Sequence, residues 1–159
     1  MLAALEVELR RRLTRYGTAP GRFGLVHADM RLANLIVDLD DGTARGQDGP
    51  SAPAREVTVI DFDDCGFGWY LYDLGSSLSF IEDDPRVPEL VDAWVDGYRE
   101  VGELSAEEVA ELPTFVLLRR LLLVAWIGSH SDTELARSMG EDFTRASCDL
   151  AEQYLSRSS

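Results

Sequence analysis

Leu2, Leu5, Leu9 and Leu13 recur every three or four residues at the start of the chain, with Glu6, Glu8, Arg10, Arg11 and Arg12 between them. One apolar stripe on an otherwise charged segment predicts an amphipathic helix over residues 2–16. Gly17, Pro20 and Gly21 end it. Three short apolar runs follow, Phe23–Val26, Leu35–Val37 and Val57–Ile60, and read as strands. Residues 38–56, rich in glycine, proline and acids, separate the last two and read as a long, mobile hairpin loop. The glycines around Phe67 read as a turn.

After Ile60 the spacing turns helical. Tyr70 to Phe80 repeats with a helical period, and Asp83-Asp84-Pro85 opens a helix over about 86–100. Ser105-Ala106-Glu107-Glu108 is a capping box. Pro113 is expected to interrupt the helix it opens, leaving a largely buried helix over 114–129. Asp132 is expected to cap a last helix, or pair of helices, reaching about 156. Trp94, Tyr98, Trp126 and Phe143 fall at core spacing, and His130 at a helix end reads as a cap. The order predicts an α+β, mostly α fold: a small β-hairpin platform, then a helical bundle over 69–156, as one domain over 1–159.

Charge narrows the function. The chain carries 29 acidic and 15 basic side chains, a net charge of −14, and every basic residue is arginine. Such a surface repels phosphate backbones, so nucleic acid is not an expected partner. Cys65 and Cys148 are isolated and form no metal or disulfide pattern; both read as buried thiols in a reducing compartment. The charged first helix does not read as a leader. The apolar run Phe115 to Ile127 is broken by Arg119 and Arg120, too short and too charged to span a bilayer. No membrane role and a cytoplasmic location are the expectations.

The chemistry sits between and after the strands. His27-Ala28-Asp29-Met30-Arg31-Leu32-Ala33-Asn34 has the form H-x-D-x-x-x-x-N, and Asn34 is the only asparagine in the chain. In phosphoryl transfer an aspartate orients the attacking hydroxyl and accepts its proton, and an asparagine five residues on holds a magnesium ion against the phosphates. Val59-Ile60-Asp61-Phe62-Asp63-Asp64 ends a strand in carboxylates, a common way to hold a hard cation. Asp61 is the natural ligand there, with Asp63 and Asp64 as further metal or substrate contacts. The bland reading of the same residues is a turn and a solvated charge run.

These two motifs, in this order and with Tyr72-Asp73-Leu74 following, resemble the C-terminal lobe of the aminoglycoside phosphotransferase and choline kinase-like family, most closely its stress-response kinase and homoserine kinase branch. The resemblance is strongest over residues 24–80. It implies a protein-kinase-like C-terminal lobe with catalytic loop 27–34 and metal-binding segment 60–64. It implies Asp29 as catalytic base, Asn34 and Asp61 as Mg2+ ligands, and His27 and Asp73 as supports of the loop. The cofactors implied are Mg2+ and ATP, and the acceptor is a small-molecule hydroxyl. Where the family has glycine after the histidine, this chain has Ala28.

Family members carry a β-rich N-terminal lobe that supplies a lysine for the phosphates. Here 26 residues precede His27 and there is no lysine. The expectation is an isolated C-lobe, N-lobe absent, barely active by itself; the alternative is a non-catalytic single-lobe module acting in binding or regulation. Leu25, Leu35, Ile36 and Phe62 would then leave an apolar patch near the cleft, to be covered by a second copy in a homodimer or by a separate N-lobe. Trp69, Tyr70 and Tyr72 read as core, with cleft lining as the sharper option. Glu82, Asp83 and Asp84 read as a helix-start charge run, with attraction of a cationic substrate as the sharper option.

Overall fold

The structure is a computed structural model and describes residues 1–37, 57–130 and 132–157. The loop expected over 38–56 lies outside them. Helix α1 (Leu2–Tyr16) buries Leu5 and Leu9 of the predicted stripe, together with Tyr16, against the later helices, while Leu2 and Leu13 are half-buried at its edge. Strand β1 (Phe23–Val26) leads into the H-x-D segment, and a single 3-10 turn at Leu32–Asn34 leads into β2 (Leu35–Val37). β2 pairs antiparallel with β3 (Val57–Val59), Leu35 opposite Val59.

A second antiparallel pair was not legible as such. Gly66–Trp69 is a strand, β4, in register with β1 so that Gly24 faces Gly68 and Leu25 faces Phe67. The expected turn at Gly66-Phe67-Gly68 is therefore corrected. Glycine weakens a strand because it packs no side chain, but here the missing side chains make room. A Cβ on Gly24 would overlap the Tyr70 ring, and one on Gly68 would press on Val26.

The helices carry the rest. α2 (Tyr72–Ser77) is shorter than the period over 70–80 suggested, and α3 (Val87–Val101) follows. α4 (Ala106–Ser129) opens on the predicted capping box: Ser105 Oγ accepts from Glu108 N and Glu108 Oε2 accepts from Ser105 N. It runs unbroken through Pro113, against expectation. The proline withholds one N–H and crowds the carbonyl of Val109, yet Leu112, Thr114 and Phe115 around it are almost completely buried, and their packing holds the helix together. By length and composition α4 is the one helix among the described residues able to cross a membrane; Leu112, Phe115, Val116, Leu117, Leu123 and Ile127 on it are buried in the core, while Leu122 and Trp126 are exposed.

α5 (Glu134–Arg157) is two helical pieces joined at Gly140, where φ is 47°. Thr133, not Asp132, caps it, its Oγ1 accepting from Ala136 N. α2 lies against α4 so closely that a Cβ on Gly75 would sit 2.5 Å from the Phe115 carbonyl oxygen. Expectations for Glu82, the two cysteines and Trp126 are also corrected. Glu82 belongs to no solvated run: its side chain is 0% exposed and its Oε2 accepts from Arg120 Nη1 at 2.6 Å. Cys65 is exposed and Cys148 half-buried. Trp126 stands at the surface, 37% exposed, whereas Phe143 is buried and Trp94 packs against the core.

Candidate active site

β1 delivers His27 to a loop whose backbone is gripped by α2. The Asp73 carboxylate accepts from His27 N at 3.0 Å and from Ala28 N at 2.8 Å. One turn later on the same helix face, Ser76 Oγ accepts from Met30 N at 2.9 Å. The remaining amide in the run, Asp29 N, donates to His27 Nδ1 at 3.3 Å. Since that nitrogen accepts, the ring proton is on Nε2, which donates to the Ile60 carbonyl at 3.0 Å. His27 is buried against Phe62, with ring centroids 4.6 Å apart. Ala28 is held at φ 67°, in the left-handed region where a Cβ is unfavourable.

The two motifs meet through these contacts. Asn34 Nδ2 donates to the Asp29 carbonyl at 2.9 Å and to Asp29 Oδ2 at 3.0 Å. The Asn34 carbonyl in turn accepts from Ile60 N at 3.0 Å, so the residue before Asp61 is tied to the residue that ends the loop. Asp61, like Ala28, has φ 67°. With its amide nitrogen committed to Asp29, Asn34 keeps Oδ1 as an uncommitted acceptor, and the Asp61 carboxylate is exposed nearby in the chain path. An amide oxygen and a carboxylate suit a hard cation that keeps further oxygens from water or phosphate. Asp63 and Asp64 are exposed; among the described residues no three His, Cys, Asp or Glu side chains gather into a ready-made metal cluster.

Residues far along the chain complete the site. Arg119, from the buried middle of α4, donates to Asp29 Oδ1 at 2.5 Å, to Ser79 Oγ at 2.8 Å and, more weakly, to the Ala28 carbonyl and Tyr72 hydroxyl. Burial disfavours its charge, but the Tyr72 hydroxyl and the Asp29 carboxylate outweigh it and hold its pKa above the ordinary guanidinium value. Arg31 Nε lies 3.2 Å from Asp29 Oδ2, off the line of a hydrogen bond, so it contributes charge rather than a donated proton. A cavity of about 440 Å³ opens beside Asp29, walled by Arg31, Asp64, Tyr72, Arg119 and Trp126.

Arg119, Ser76, Arg31 and Trp126 were not read from sequence as site residues; Trp126 was expected in the core and Arg119 only as a charge interrupting an apolar run. A usable signal existed for Arg119: arginine inside an apolar helical run must be paired when buried. Of the three aromatic residues flanking the acidic cluster, Trp69 and Tyr72 pack against the core, and Tyr72 also lines the cavity. His130 ends α4 as expected, its Nδ1 3.0 Å from the Trp126 carbonyl.

A model of the phosphotransferase enzyme family matches residues 2–111. Amicoumacin kinase of Bacillus subtilis (strain 168) is 28% identical over 124 residues, which is 72% of this chain and 32% of that protein. The structure of a microcompartment-associated aminopropanol kinase superposes with a TM-score of 0.84 at 51% identity, covering 98% of this chain and 45% of that one. The amicoumacin kinase hAmiN, solved with AMP-PNP, Ca2+ and Ami, shares the fold with a TM-score of 0.66 at 24% identity, covering 96% and 44%. The chain thus spans less than half the length of these relatives. With the loop clamp, the Asp29–Asn34 pair and this match over most of its length, the chain belongs to the phosphotransferase enzyme family, with small-molecule kinases among its relatives.

Proposed function

We propose that the chain is the catalytic half of an ATP- and magnesium-dependent small-molecule kinase that moves a γ-phosphoryl group onto a hydroxyl. The observation that carries this is the Asp29–Asn34 pair, five residues apart, held side by side on a loop whose amides are clamped by Asp73 and Ser76. An ionised carboxylate offers about four lone-pair sites. Arg119 and Asn34 take one each and Arg31 crowds a third, which leaves capacity on Asp29 to accept from an acceptor hydroxyl and take its proton as the O–P bond forms. Fixing a base this way is positioning catalysis, the main resource of phosphoryl transfer.

Asn34 Oδ1 and the Asp61 carboxylate would hold the magnesium ion, which supplies charge neutralisation at the phosphates when bound. Asp63 stands by as a further oxygen ligand, Asp64 faces the acceptor cavity, and His27 and Asp73 keep the loop in shape. The 51%-identical relative is an aminopropanol kinase, so a short amino alcohol is the first acceptor to assay.

The chain contains no lysine and spans less than half of its relatives. We therefore assign nucleotide covering to the remaining half, docked on the exposed apolar face of Leu25, Ile36, Phe62 and Phe67. The missing lysine also favours a second reading, a non-catalytic binding module; a homodimer would cover the same face, and a cytoplasmic location fits either. Coupled ATP-consumption assays test the choice. This chain alone is expected to show no turnover, and the complete protein to phosphorylate an amino alcohol in a manner abolished by Asp29→Asn. Turnover in the complete protein that survives Asp29→Asn refutes the kinase assignment of the site.

A further inference from the structure

We propose that the cavity beside Asp29 selects a cationic acceptor, holding the ammonium of a short amino alcohol between the Asp64 carboxylate and the exposed ring surface of Trp126. The inference rests on the kinase reading and adds to it the residues that choose the acceptor.

Trp126 is the first ground. A large aromatic on the buried helix α4 would ordinarily face the core, yet this one is 37% exposed and lines the cavity. It is also held still. His130 stacks on one face, with centroids 4.7 Å apart and planes 16° from parallel, and its Nδ1 meets the Trp126 carbonyl. The imidazole therefore covers one part of the indole, and the ring still contributes exposed aromatic surface to the cavity wall. An indole face attracts an ammonium more strongly than any other side-chain ring does.

The charge layout is the second ground. The cavity holds two acids and two arginines. Both arginines are drawn to Asp29, which makes that end of the cavity net positive by one charge. Arg119 spends its donors on Ser79, Ala28, Tyr72 and Asp29. Asp64 is exposed and, among the described residues, has no ion-pair partner, so the rim of the cavity is negative. A small molecule with an ammonium at one end and a hydroxyl at the other matches this polarity in one orientation only. Its cation lies at Asp64 and its hydroxyl at Asp29. The net charge of −14 favours approach of cations generally. A neutral diol lacks the pairing, and a hydroxy acid would set its carboxylate against Asp64.

The test is binding without nucleotide, so that it does not depend on phosphoryl transfer. The chain has three tryptophans, and the indole N–H signal of Trp126 is identified in nitrogen–proton NMR spectra by its loss in Trp126→Leu. Titration with 1-aminopropan-2-ol should move that signal saturably, with propane-1,2-diol binding about tenfold more weakly, as expected for one exposed ion pair plus one cation–π contact. Asp64→Asn should erase the preference while the Trp69 and Trp94 signals stay in place as a control of the fold. Equal response to amine and diol, no saturable response to the amine, or an unchanged preference in Asp64→Asn overturns the proposal. Amine binding in a complete protein that transfers no phosphoryl group would instead count against the kinase reading alone.

Discussion

Replacing Asp73 by asparagine isolates the clamp on the H-x-D loop. Both carboxylate oxygens are used, one on His27 N and one on Ala28 N. The amide keeps one acceptor and turns a donor toward the other N–H. One charge-assisted bond is lost and a partly buried donor is stranded, a combined cost of about 2–4 kcal/mol. Against a domain stability of roughly 5–15 kcal/mol the variant stays folded but clearly weakened. At a urea slope of about 2 kcal/mol per molar, its midpoint falls by about 1–2 M.

The geometry makes a sharper claim through Ala28. Its φ of 67° is imposed by the clamp, at a cost of about 1–2 kcal/mol for an L-residue. Ala28→Gly should therefore stabilise the parent chain by about 0.5–1 kcal/mol. In the Asp73→Asn background the loop can relax, and that gain should shrink toward zero. Urea unfolding followed by circular dichroism on the two single variants and the double variant measures the coupling. If Asp73→Asn costs under about 0.5 kcal/mol, or the two changes add within about 0.3–0.5 kcal/mol, the clamp does not set the loop conformation.

Glu82 and Arg120 give a pH prediction. Burial pushes the Glu82 carboxyl above its ordinary value of 4.5, with Arg120 pulling the other way. A carboxyl raised on folding favours the folded state at low pH, and that contribution is lost as pH rises from about 4.5 through the folded value. Arg120→Met should cost about 3–5 kcal/mol at pH 7 by stranding the charge, and measurably less near pH 5, read as urea midpoints; a loss independent of pH would refute the pairing argument. Magnesium at about ten times its Kd should stabilise the chain by about 1.4 kcal/mol through native-state binding, and Asp61→Ala should remove that gain; an unchanged thermal shift places the ion elsewhere. Pro113→Ala should restore the missing bond to the Val109 carbonyl and raise stability by about 1–3 kcal/mol, and a loss in the same unfolding assay would mean that α4 needs the local bend.

Much of the fold was legible because its signals are local. The leucine stripe of α1, the strand runs at 23, 35 and 57, and the capping box at Ser105 each depend on a few neighbouring residues, and each stands where its pattern put it. The meeting of Asp29 and Asn34 was legible for the same reason: they are close in sequence, so their spacing already implies that the side chains share one side of the loop. β4 was missed because glycine's poor strand propensity was outweighed by what lies across it, the β1 strand with Val26 against Gly68, which no local window contains. Pro113 misled in the same manner, its local penalty overridden by the buried side chains on either side.

By itself, then, the sequence determined most of the elements, the family and the spacing of the Asp29–Asn34 pair, since those are written in short-range pattern. Only the tertiary structure decided what surrounds them. Arg119 reaches Asp29 across 90 residues, Arg120 reaches Glu82 across 38, and Trp126 leaves the core for a cavity wall. These pairings depend on which face of α4 meets the H-x-D loop, and that face is chosen by the sum of packing across α2, α4 and α5. A buried charge announces in sequence that it needs a partner; the fold alone names the partner.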